Sequence, residues 1–294
     1  MHKSGFVNII GNPNVGKSTL MNALVGEKLS IITSKAQTTR HRILGIVNGD
    51  DFQIVFSDTP GILKPSYKLQ ESMMNFVRGA LSDADVLLYV TDTVERDDER
   101  AAEIIDRIRQ SGVPTLVVVN KIDLTTQEAL ETLVEKWHTT LPEAEIIPIS
   151  AKEGFNISGL FDRILALLPE GEPFYPKDTL TDKTLRFFAS EIIREKILRN
   201  YDKEVPYSCE IEIEAYKEEP AIDRISAVIY VARNSQKGIL IGHKGEKLKK
   251  VGQQAREELE EFLQKKVFLQ LFVKVSDDWR NDQRQLRRFG YDSE

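Results

Sequence analysis

Two patterns of hydrophobic and polar positions alternate over residues 1–170. Short apolar runs, rich in β-branched residues, are followed by longer segments with helical spacing. Apolar runs of this length, bounded by turn residues, predict strands buried on both faces. The predicted strands are 6–10, 52–56, 86–90, 115–119 and 145–149, and the predicted helices are 18–25, 69–82, 97–110, 127–140 and 157–168. Strict alternation of this kind predicts an α/β domain with a mostly parallel sheet flanked by helices.

The pattern changes after Pro169, where three prolines and Gly171 fall close together. Proline fixes φ and lacks an N–H, so this stretch suits neither a helix interior nor a central strand. We therefore assign residues 1–170 to a first domain, 171–181 to a linker and 182–294 to a second domain. In the second domain the predicted order is a helix (184–200), strands (206–216 and 224–232), two helical segments up to about 264, a strand (267–275) and a helix (279–288). This order describes a small α+β domain.

Composition narrows the class of protein. With 294 residues, 41% hydrophobic and 29% charged, the chain can bury two cores and is not a disordered protein. A single cysteine, no signal-peptide pattern and no run of 18 apolar residues predict a cytoplasmic protein without a transmembrane segment. The net charge of −6 argues against a nonspecific nucleic-acid coat protein. Residues 1–181 carry −7 and the remainder +1, so the second domain is the more basic part.

A glycine-rich segment, GNPNVGKS, follows the first predicted strand and opens the first predicted helix. It fits G-x-x-x-x-G-K-[ST] in the strand-to-helix context that this pattern requires. Its backbone N–H groups can turn toward phosphate oxygens, Lys17 can reach the β- and γ-phosphates, and the Ser18 hydroxyl can bind Mg²⁺. The alternative is a glycine-bearing turn with a chance lysine. The predicted phosphate-binding residues are Gly11, Asn12, Pro13, Asn14, Val15, Gly16, Lys17, Ser18 and Thr19.

Three further loops, DTPG, NKID and SAK, each follow a predicted strand. Asp58 can hold Mg²⁺ through water, and the Gly61 N–H can meet the γ-phosphate. The Asp123 carboxylate can accept two parallel N–H bonds from guanine, a donor pair that adenine lacks. All these loops end strands, where open α/β sheets bind ligands, so their order predicts a GTP site. The residues are Asp58, Thr59, Pro60, Gly61 and the following Ile62, then Asn120, Lys121, Ile122, Asp123, Ser150, Ala151 and Lys152.

A second glycine loop, G-x-x-G at residues 242–245, lies in a segment with five lysines and one acid between positions 237 and 250. Glycines allow a close approach of phosphates, lysines supply positive charge, and isoleucines can lie under bases. The alternative is a turn between helices with a solvated basic face. The predicted RNA-binding residues are Gly238, Ile239, Ile241, Gly242, His243, Lys244, Gly245, Lys247 and Lys250.

These motifs resemble the Era family, bacterial P-loop GTPases with a C-terminal KH domain, and the order of elements in the second domain resembles the type II KH topology. The resemblance covers nearly the whole chain and identifies QTTRHR, residues 37–42, with the effector loop, in which a threonine closes over Mg²⁺ and the γ-phosphate. Thr38 and Thr39 both qualify, and alignment on the following arginine favours Thr39. The implied hydrolytic residues are Lys17, Thr39 and Gly61, and the implied metal ligands are Ser18, Thr39 and Asp58.

The resemblance also implies a function: a slow, Mg²⁺-dependent GTPase, expected to be a monomer, that binds small-subunit ribosomal RNA near its 3′ end and assists assembly of the 30S subunit. Ile62 cannot orient a water molecule as the glutamine of Ras-like GTPases does. Asn14 matches an asparagine that helps to bind K⁺ in related GTPases, although a turn-stabilising asparagine is equally consistent. The alternative function is a signalling or cell-cycle GTPase recruited peripherally to the membrane surface, with the second domain as a docking module.

Overall fold

The structure is a computed structural model that describes residues 1–94 and 99–291. Its residues fall into two compact units. The first comprises Met1–Ser66 and Gln70–Asp182, and the second comprises Tyr67–Leu69 and the chain from Lys183 onward. Two residues of the predicted helix 97–110, Asp97 and Asp98, lie outside the described residues.

The first unit contains a six-stranded sheet in the order β2-β3-β1-β4-β5-β6. Only β2 runs antiparallel to its neighbour, and the remaining pairs are parallel. The central strands are buried along most of their length, as their apolar sequences require. The strands are β1 (Lys3–Gly11), β2 (Ile43–Asn48), β3 (Phe52–Asp58), β4 (Val86–Asp92), β5 (Thr115–Asn120) and β6 (Glu145–Pro148).

Five helices complete the part of the first unit that the structure describes, and with the mostly parallel sheet they confirm the predicted α/β class. They are α1 (Lys17–Val25), α2 (Lys68–Ser82), α3 (Glu99–Ser111), α4 (Gln127–Thr140) and α5 (Ile157–Leu167). The prediction missed β2, which forms a hairpin with β3 and adds an antiparallel edge. Its sequence is short and interrupted by Gly45, and it follows a polar loop, so the hydrophobic pattern there is weak.

The proline-rich segment between the predicted domains is bound to the first unit. The Ser4 N–H donates to the Pro169 carbonyl at 3.1 Å, and the Ile46 N–H donates to the Leu180 carbonyl at 2.8 Å. Gln53 exchanges side-chain hydrogen bonds with the backbone of Tyr175 at 2.8 and 2.9 Å. Residues 169–182 therefore form an extension of the first unit with defined backbone partners.

The second unit is an α+β domain built on a three-stranded sheet in the order β7-β8-β9. The β7–β8 pair is antiparallel, and the β8–β9 pair is parallel. Its apolar core is formed by residues of the sheet and the helices, among them the fully buried Ile193, Ile229 and Val251. The elements are α6 (Leu185–Asn200), β7 (Cys209–Glu218), β8 (Ile222–Val231), α7 (Asn234–Ile241), α8 (Glu246–Leu263), β9 (Lys266–Val275) and α9 (Gln283–Arg288). This order agrees with the sequence prediction.

Candidate nucleotide site and RNA interface

The glycine-rich loop lies between the end of β1 and the start of α1. Gly16 has φ 98°, in the left-handed region, and a Cβ there would collide with Asn120 Nδ2. A non-glycine residue at this position would therefore be both strained and obstructed. Asn14 also has a positive φ of 64°, a conformation that asparagine tolerates better than most residues.

Lys17 is buried at the start of α1 and bends back over the loop. Its Nζ donates to the carbonyls of Gly11 at 3.0 Å and Asn12 at 2.9 Å. Burial lowers the pKa of Lys17 to about 8, although the nearby Asp58 carboxylate opposes this shift. Burial removes most of the water that would stabilise the positive charge of Lys17. A phosphate that binds beside Lys17 would therefore stabilise this charge strongly.

Three oxygen-bearing side chains converge beside Lys17. Ser18 Oγ lies 2.9 Å from Thr39 Oγ1 and donates to Asp58 Oδ2 at 2.7 Å, and Thr39 Oγ1 lies 3.4 Å from the same carboxylate oxygen. Thr38 is directed elsewhere, because its hydroxyl donates to the Lys35 carbonyl at 2.6 Å. Two hydroxyls and a carboxylate are hard oxygen ligands of the kind that Mg²⁺ prefers, so this set fits the predicted metal.

The protonation of Asp58 depends on its surroundings. Burial raises its pKa, whereas the charge of Lys17 and the hydroxyls of Ser18, Ser30 and Thr39 lower it. The lysine and the hydroxyls offset only part of the cost of burying the negative charge of Asp58. A divalent cation would offset much more of it. Metal binding and ionisation of Asp58 should therefore favour each other.

The DTPG loop packs directly against the glycine-rich loop. Thr59 donates its hydroxyl hydrogen to the Ile9 carbonyl at 2.7 Å. A Cβ on Gly61 would lie 2.8 Å from Pro13 Cα, so only glycine allows this approach. The Ile62 N–H donates to the Gly11 carbonyl at 3.1 Å, while its side chain is fully buried in the apolar core. Only the backbone of Ile62 is therefore available to the site.

The NKID and SAK loops bond to the glycine-rich loop and to each other. Asn120 donates to the Val15 carbonyl and accepts from the Ala151 N–H, both at 2.9 Å. Lys121 Nζ donates to the Asn14 carbonyl at 2.5 Å and to Asp92 Oδ2 at 2.6 Å. These contacts connect three loops that are distant in sequence.

Asp123 lies at the exposed end of this cluster. The Ser150 hydroxyl donates to Asp123 Oδ1 at 2.6 Å, and Ser150 itself is buried. This bond fixes the orientation of the carboxylate that the sequence assigns to guanine. Ile122 begins a short 3₁₀ turn, and Lys152 is highly exposed beside Glu153.

A cavity of about 400 Å³ lies over the glycine-rich loop. One wall is formed by the loop itself and the other by residues 31–39, including both candidate threonines. The effector loop thus faces the predicted phosphate site.

Two contributors to this site were not predicted from the sequence. Asp92 ends β4 and forms the ion pair with Lys121. Its position at the carboxyl end of a parallel strand, beside the NKID strand, was the available indication. The Asn22 side chain accepts from the N–H groups of Leu29 at 3.0 Å and Ser30 at 2.9 Å. No local pattern indicates that role.

The G-x-x-G loop of the second unit connects α7 to α8. Gly242 has φ 73° and Gly245 has φ 80°, and Lys244 between them is also left-handed at φ 49°. A Cβ on Gly242 would lie 2.8 Å from Lys247 Cγ. The two glycines flank an exposed pair, His243 and Lys244, and a Cβ built on Gly245 would meet nothing within 4 Å.

The flanking residues present both apolar and charged groups. Ile239 is 49% exposed, Ile241 is half-buried, and Leu240 between them is fully buried. The Tyr201 hydroxyl donates to the Leu240 carbonyl at 2.6 Å and so fixes the end of α7. Gly238, Lys247 and Lys250 are exposed. All the predicted RNA-binding residues belong to this one loop and its two flanking helices.

Comparisons with known proteins identify the family of this chain. A family profile described as "50S ribosome-binding GTPase" matches residues 6–121, and one described as "KH domain" matches residues 204–280. The chain is 47% identical over 293 residues to the GTPase Era of Syntrophus aciditrophicus (strain SB), covering 99% of this chain and 96% of the relative. The chain belongs to the Era family of GTPases. The predicted family, the GTPase activity and the KH domain are confirmed.

Two solved Era structures align over almost the full chain, each at 44% identity. One, an Aquifex aeolicus Era variant bound to GDP·AlF4⁻, covers 99% of this chain and 100% of its own with a TM-score of 0.94. The other is Era in complex with MgGDPNP and nucleotides 1506–1542 of 16S ribosomal RNA, with a TM-score of 0.95 and complete coverage of both chains. Among the described residues of this Era-family chain, no helix has the length and apolar character to cross a membrane.

Proposed function

We propose that this Era-family GTPase binds small-subunit ribosomal RNA near its 3′ end and assists assembly of the 30S subunit. The observation that carries the proposal is the end-to-end alignment, at TM-score 0.95, with Era in complex with MgGDPNP and a 16S RNA segment. The description of one matching family profile names the 50S subunit instead of the 30S subunit. That profile covers only part of the first unit, whereas the RNA complex aligns with both units, so we favour the small subunit.

In the nucleotide site, Lys17 binds the β- and γ-phosphates, and Ser18 and Thr39 provide hydroxyl ligands for Mg²⁺, with Asp58 acting through water. The hydroxyl–carboxylate cluster supports these roles. Bound Mg²⁺ neutralises charge that develops on the phosphates. The Gly61 N–H donates to the γ-phosphate and Asp123 accepts from guanine, oriented by Ser150. The remaining loop residues supply backbone donors and shape.

A K⁺ ion held by Asn14 is a further candidate for stabilising charge on the phosphates. Replacing K⁺ with Na⁺ should then lower the hydrolysis rate. An unchanged rate would leave Asn14 with the turn role that its left-handed backbone supports.

In the second unit, the G-x-x-G loop clamps the RNA backbone while Ile239 and Ile241 contact bases. Lys244, Lys247 and Lys250 supply charge beside the phosphates. The left-handed backbone of the two glycines and the exposed lysines support this assignment.

For the whole chain we propose a cytoplasmic monomer with a GTPase domain at 1–170, a connecting segment at 171–181 and a KH domain at 182–294. Peripheral association with the membrane surface would use the exposed basic surface.

The test is binding of the full chain to a 16S 3′-end RNA and to a shuffled RNA of equal length, with a GTP analogue or GDP. We expect tighter binding to the 16S sequence. Equal affinity for the two RNAs would contradict the ribosomal target. Flotation with anionic vesicles separates the alternative, because vesicle binding without RNA preference would favour the membrane-recruited GTPase.

A further inference from the structure

Arg42, the last residue of the effector loop, bonds to three other parts of the first unit. Its Nε donates to Ser57 Oγ at 2.7 Å. Nη1 and Nη2 donate to the two carboxylate oxygens of Asp83 at 2.6 and 3.0 Å, and Nη2 also donates to Asn8 Oδ1 at 3.2 Å. The arginine side chain is only 19% exposed. Because a bidentate arginine–carboxylate pair fixes direction as well as distance, Arg42 is held in one orientation.

The groups that accept these bonds are themselves well anchored. Asn8 is fully buried in β1, and its Nδ2 donates to the Ala80 carbonyl at 2.6 Å and to Asp83 Oδ1 at 2.7 Å. Ser57 is buried in β3 and directly precedes Asp58. Asp83 follows α2, and its N–H donates to the Gly79 carbonyl at 3.2 Å. Arg42 is therefore attached to β1, to β3 and to the residue that follows α2.

This attachment lies close to the residue that faces the metal site. Thr39 is three residues before Arg42, so an extended chain could separate them by at most about 10 Å. The next residue, Ile43, pairs with Asp58 in the β2–β3 ladder. Thr39 thus belongs to a short segment that is fixed beside Asp58 at its C-terminal end.

We infer that Arg42 is a positioning residue for GTP hydrolysis, which acts by keeping Thr39 within reach of Mg²⁺ and the γ-phosphate. This inference rests on the proposed role of Thr39. Loops of this kind are ordered by γ-phosphate and Mg²⁺ contacts and released when the γ-phosphate is lost. Arg42 should therefore matter for the GTP-bound state and not for binding of GDP.

The first experiment compares Arg42→Gln with wild type for affinity to GDP, affinity to a non-hydrolysable GTP analogue, and kcat. We expect GDP affinity within about twofold, and GTP-analogue affinity and kcat each lower by about tenfold, a normal size for such coupling. Arg42→Lys keeps the positive charge but cannot form the bidentate pair with Asp83. Its GTP-analogue affinity and kcat should therefore lie between those of Arg42→Gln and wild type. Arg107→Gln removes an exposed arginine that pairs with Glu103 on α3 and serves as the matched control.

A second experiment separates positioning from a general structural effect. Because Arg42 acts through Thr39, Arg42→Gln should add no further loss of kcat in a Thr39→Ala background. The inference would be overturned if the fold-loss of kcat in the double variant equalled the product of the two single-variant losses. Equal losses of GDP and GTP-analogue affinity in Arg42→Gln would also overturn it. Wild-type kcat in a folded Arg42→Gln protein would also overturn it.

Thr39→Ala alone tests the underlying function. If it leaves kcat and analogue affinity unchanged, the proposed role of Thr39 fails, whatever Arg42 does. If Arg42→Gln does not fold, Asp83→Asn replaces it, because Asp83 is 49% exposed and the change weakens the same bidentate pair. The same selective loss is expected there, and its absence would refute the positioning role.

Discussion

At the scale of single residues, the charge state of Lys17 links nucleotide binding to pH. Burial lowers the pKa of Lys17 to about 8 in the free protein. Nucleotide phosphates stabilise the charged form and raise this pKa again, so binding takes up a proton above pH 8. GDP affinity should therefore be constant between pH 7 and about 8 and then fall by up to about tenfold per pH unit. Titration at pH 7, 8 and 9 checks this, and a flat profile would contradict it.

Asp123 offers a test of base recognition. Asp123→Asn replaces one acceptor oxygen with an amide that donates to the additional carbonyl of xanthine, while the other oxygen still accepts from Ser150. We expect weaker GTP binding and a preference for XTP, measured by equilibrium titration. The control is Asp162→Asn, an exposed carboxylate on α5, which should change neither affinity. Unchanged GTP binding by Asp123→Asn would remove this residue from the base site.

At the scale of elements, the end of the DTPG loop is a core position. The Ile62 side chain is fully buried beside Ile10 and Val77. Ile62→Ala should cost about 2–5 kcal/mol of unfolding free energy, whereas Ile62→Val should cost about 0.5–1.5 kcal/mol. Hydrolysis per folded molecule should change little in either variant, since the side chain does not face the phosphates. A loss of kcat of a hundredfold in the stable valine variant would show that Ile62 controls the reaction.

The G-x-x-G loop can be tested by charge reversal. His243→Asp combined with Lys244→Asp changes the local charge by about three, and aspartate tolerates the left-handed backbone at position 244. RNA affinity should fall steeply and its salt dependence should flatten, because phosphate contacts disappear. Lys217→Asp, exposed on β7, is the control. GTP binding should persist in both variants, and full RNA affinity in the folded double variant would exclude the loop as the clamp.

At the scale of the whole molecule, two apolar cores predict two separable unfolding transitions. Each core has one tryptophan nearby: Trp137 lies in the first unit, and Trp279 is fully buried in the second. In Trp279→Phe the remaining Trp137 reports unfolding of the first unit, and in Trp137→Phe the remaining Trp279 reports unfolding of the second. A GTP analogue at 100 times its Kd should stabilise the first unit by about 2.7 kcal/mol.

The shift should appear mainly in the Trp137 fluorescence transition. Denaturant titrations with and without the analogue measure it for each variant. Equal shifts of both reporters would mean that the chain unfolds as one cooperative body.

Much of this architecture could be predicted from local sequence. The buried parallel strands are continuous apolar runs, so β1, β3, β4, β5 and β6 were recognisable. The β2 edge was not, because a short strand with a glycine and one covered face has little periodicity. The proline-rich segment looked like a spacer, yet its backbone bonds to β1 and β2, which no local pattern indicates.

The sequence by itself determined the chemistry that we propose for both sites, because phosphate, guanine and RNA-backbone recognition require particular residue types at short, contiguous spacing. GNPNVGKS, DTPG, NKID and the G-x-x-G loop are each contained within eight residues. Only the tertiary structure showed that the Thr39 hydroxyl lies beside Ser18 and Asp58, while the Thr38 hydroxyl bonds to Lys35. It also paired Lys121 with Asp92 and joined Arg42 to Ser57 and Asp83. The physical reason is that these contacts are hydrogen bonds between distant chain segments. Packing of the sheet and helices brings the partners together, and local sequence spacing does not encode them.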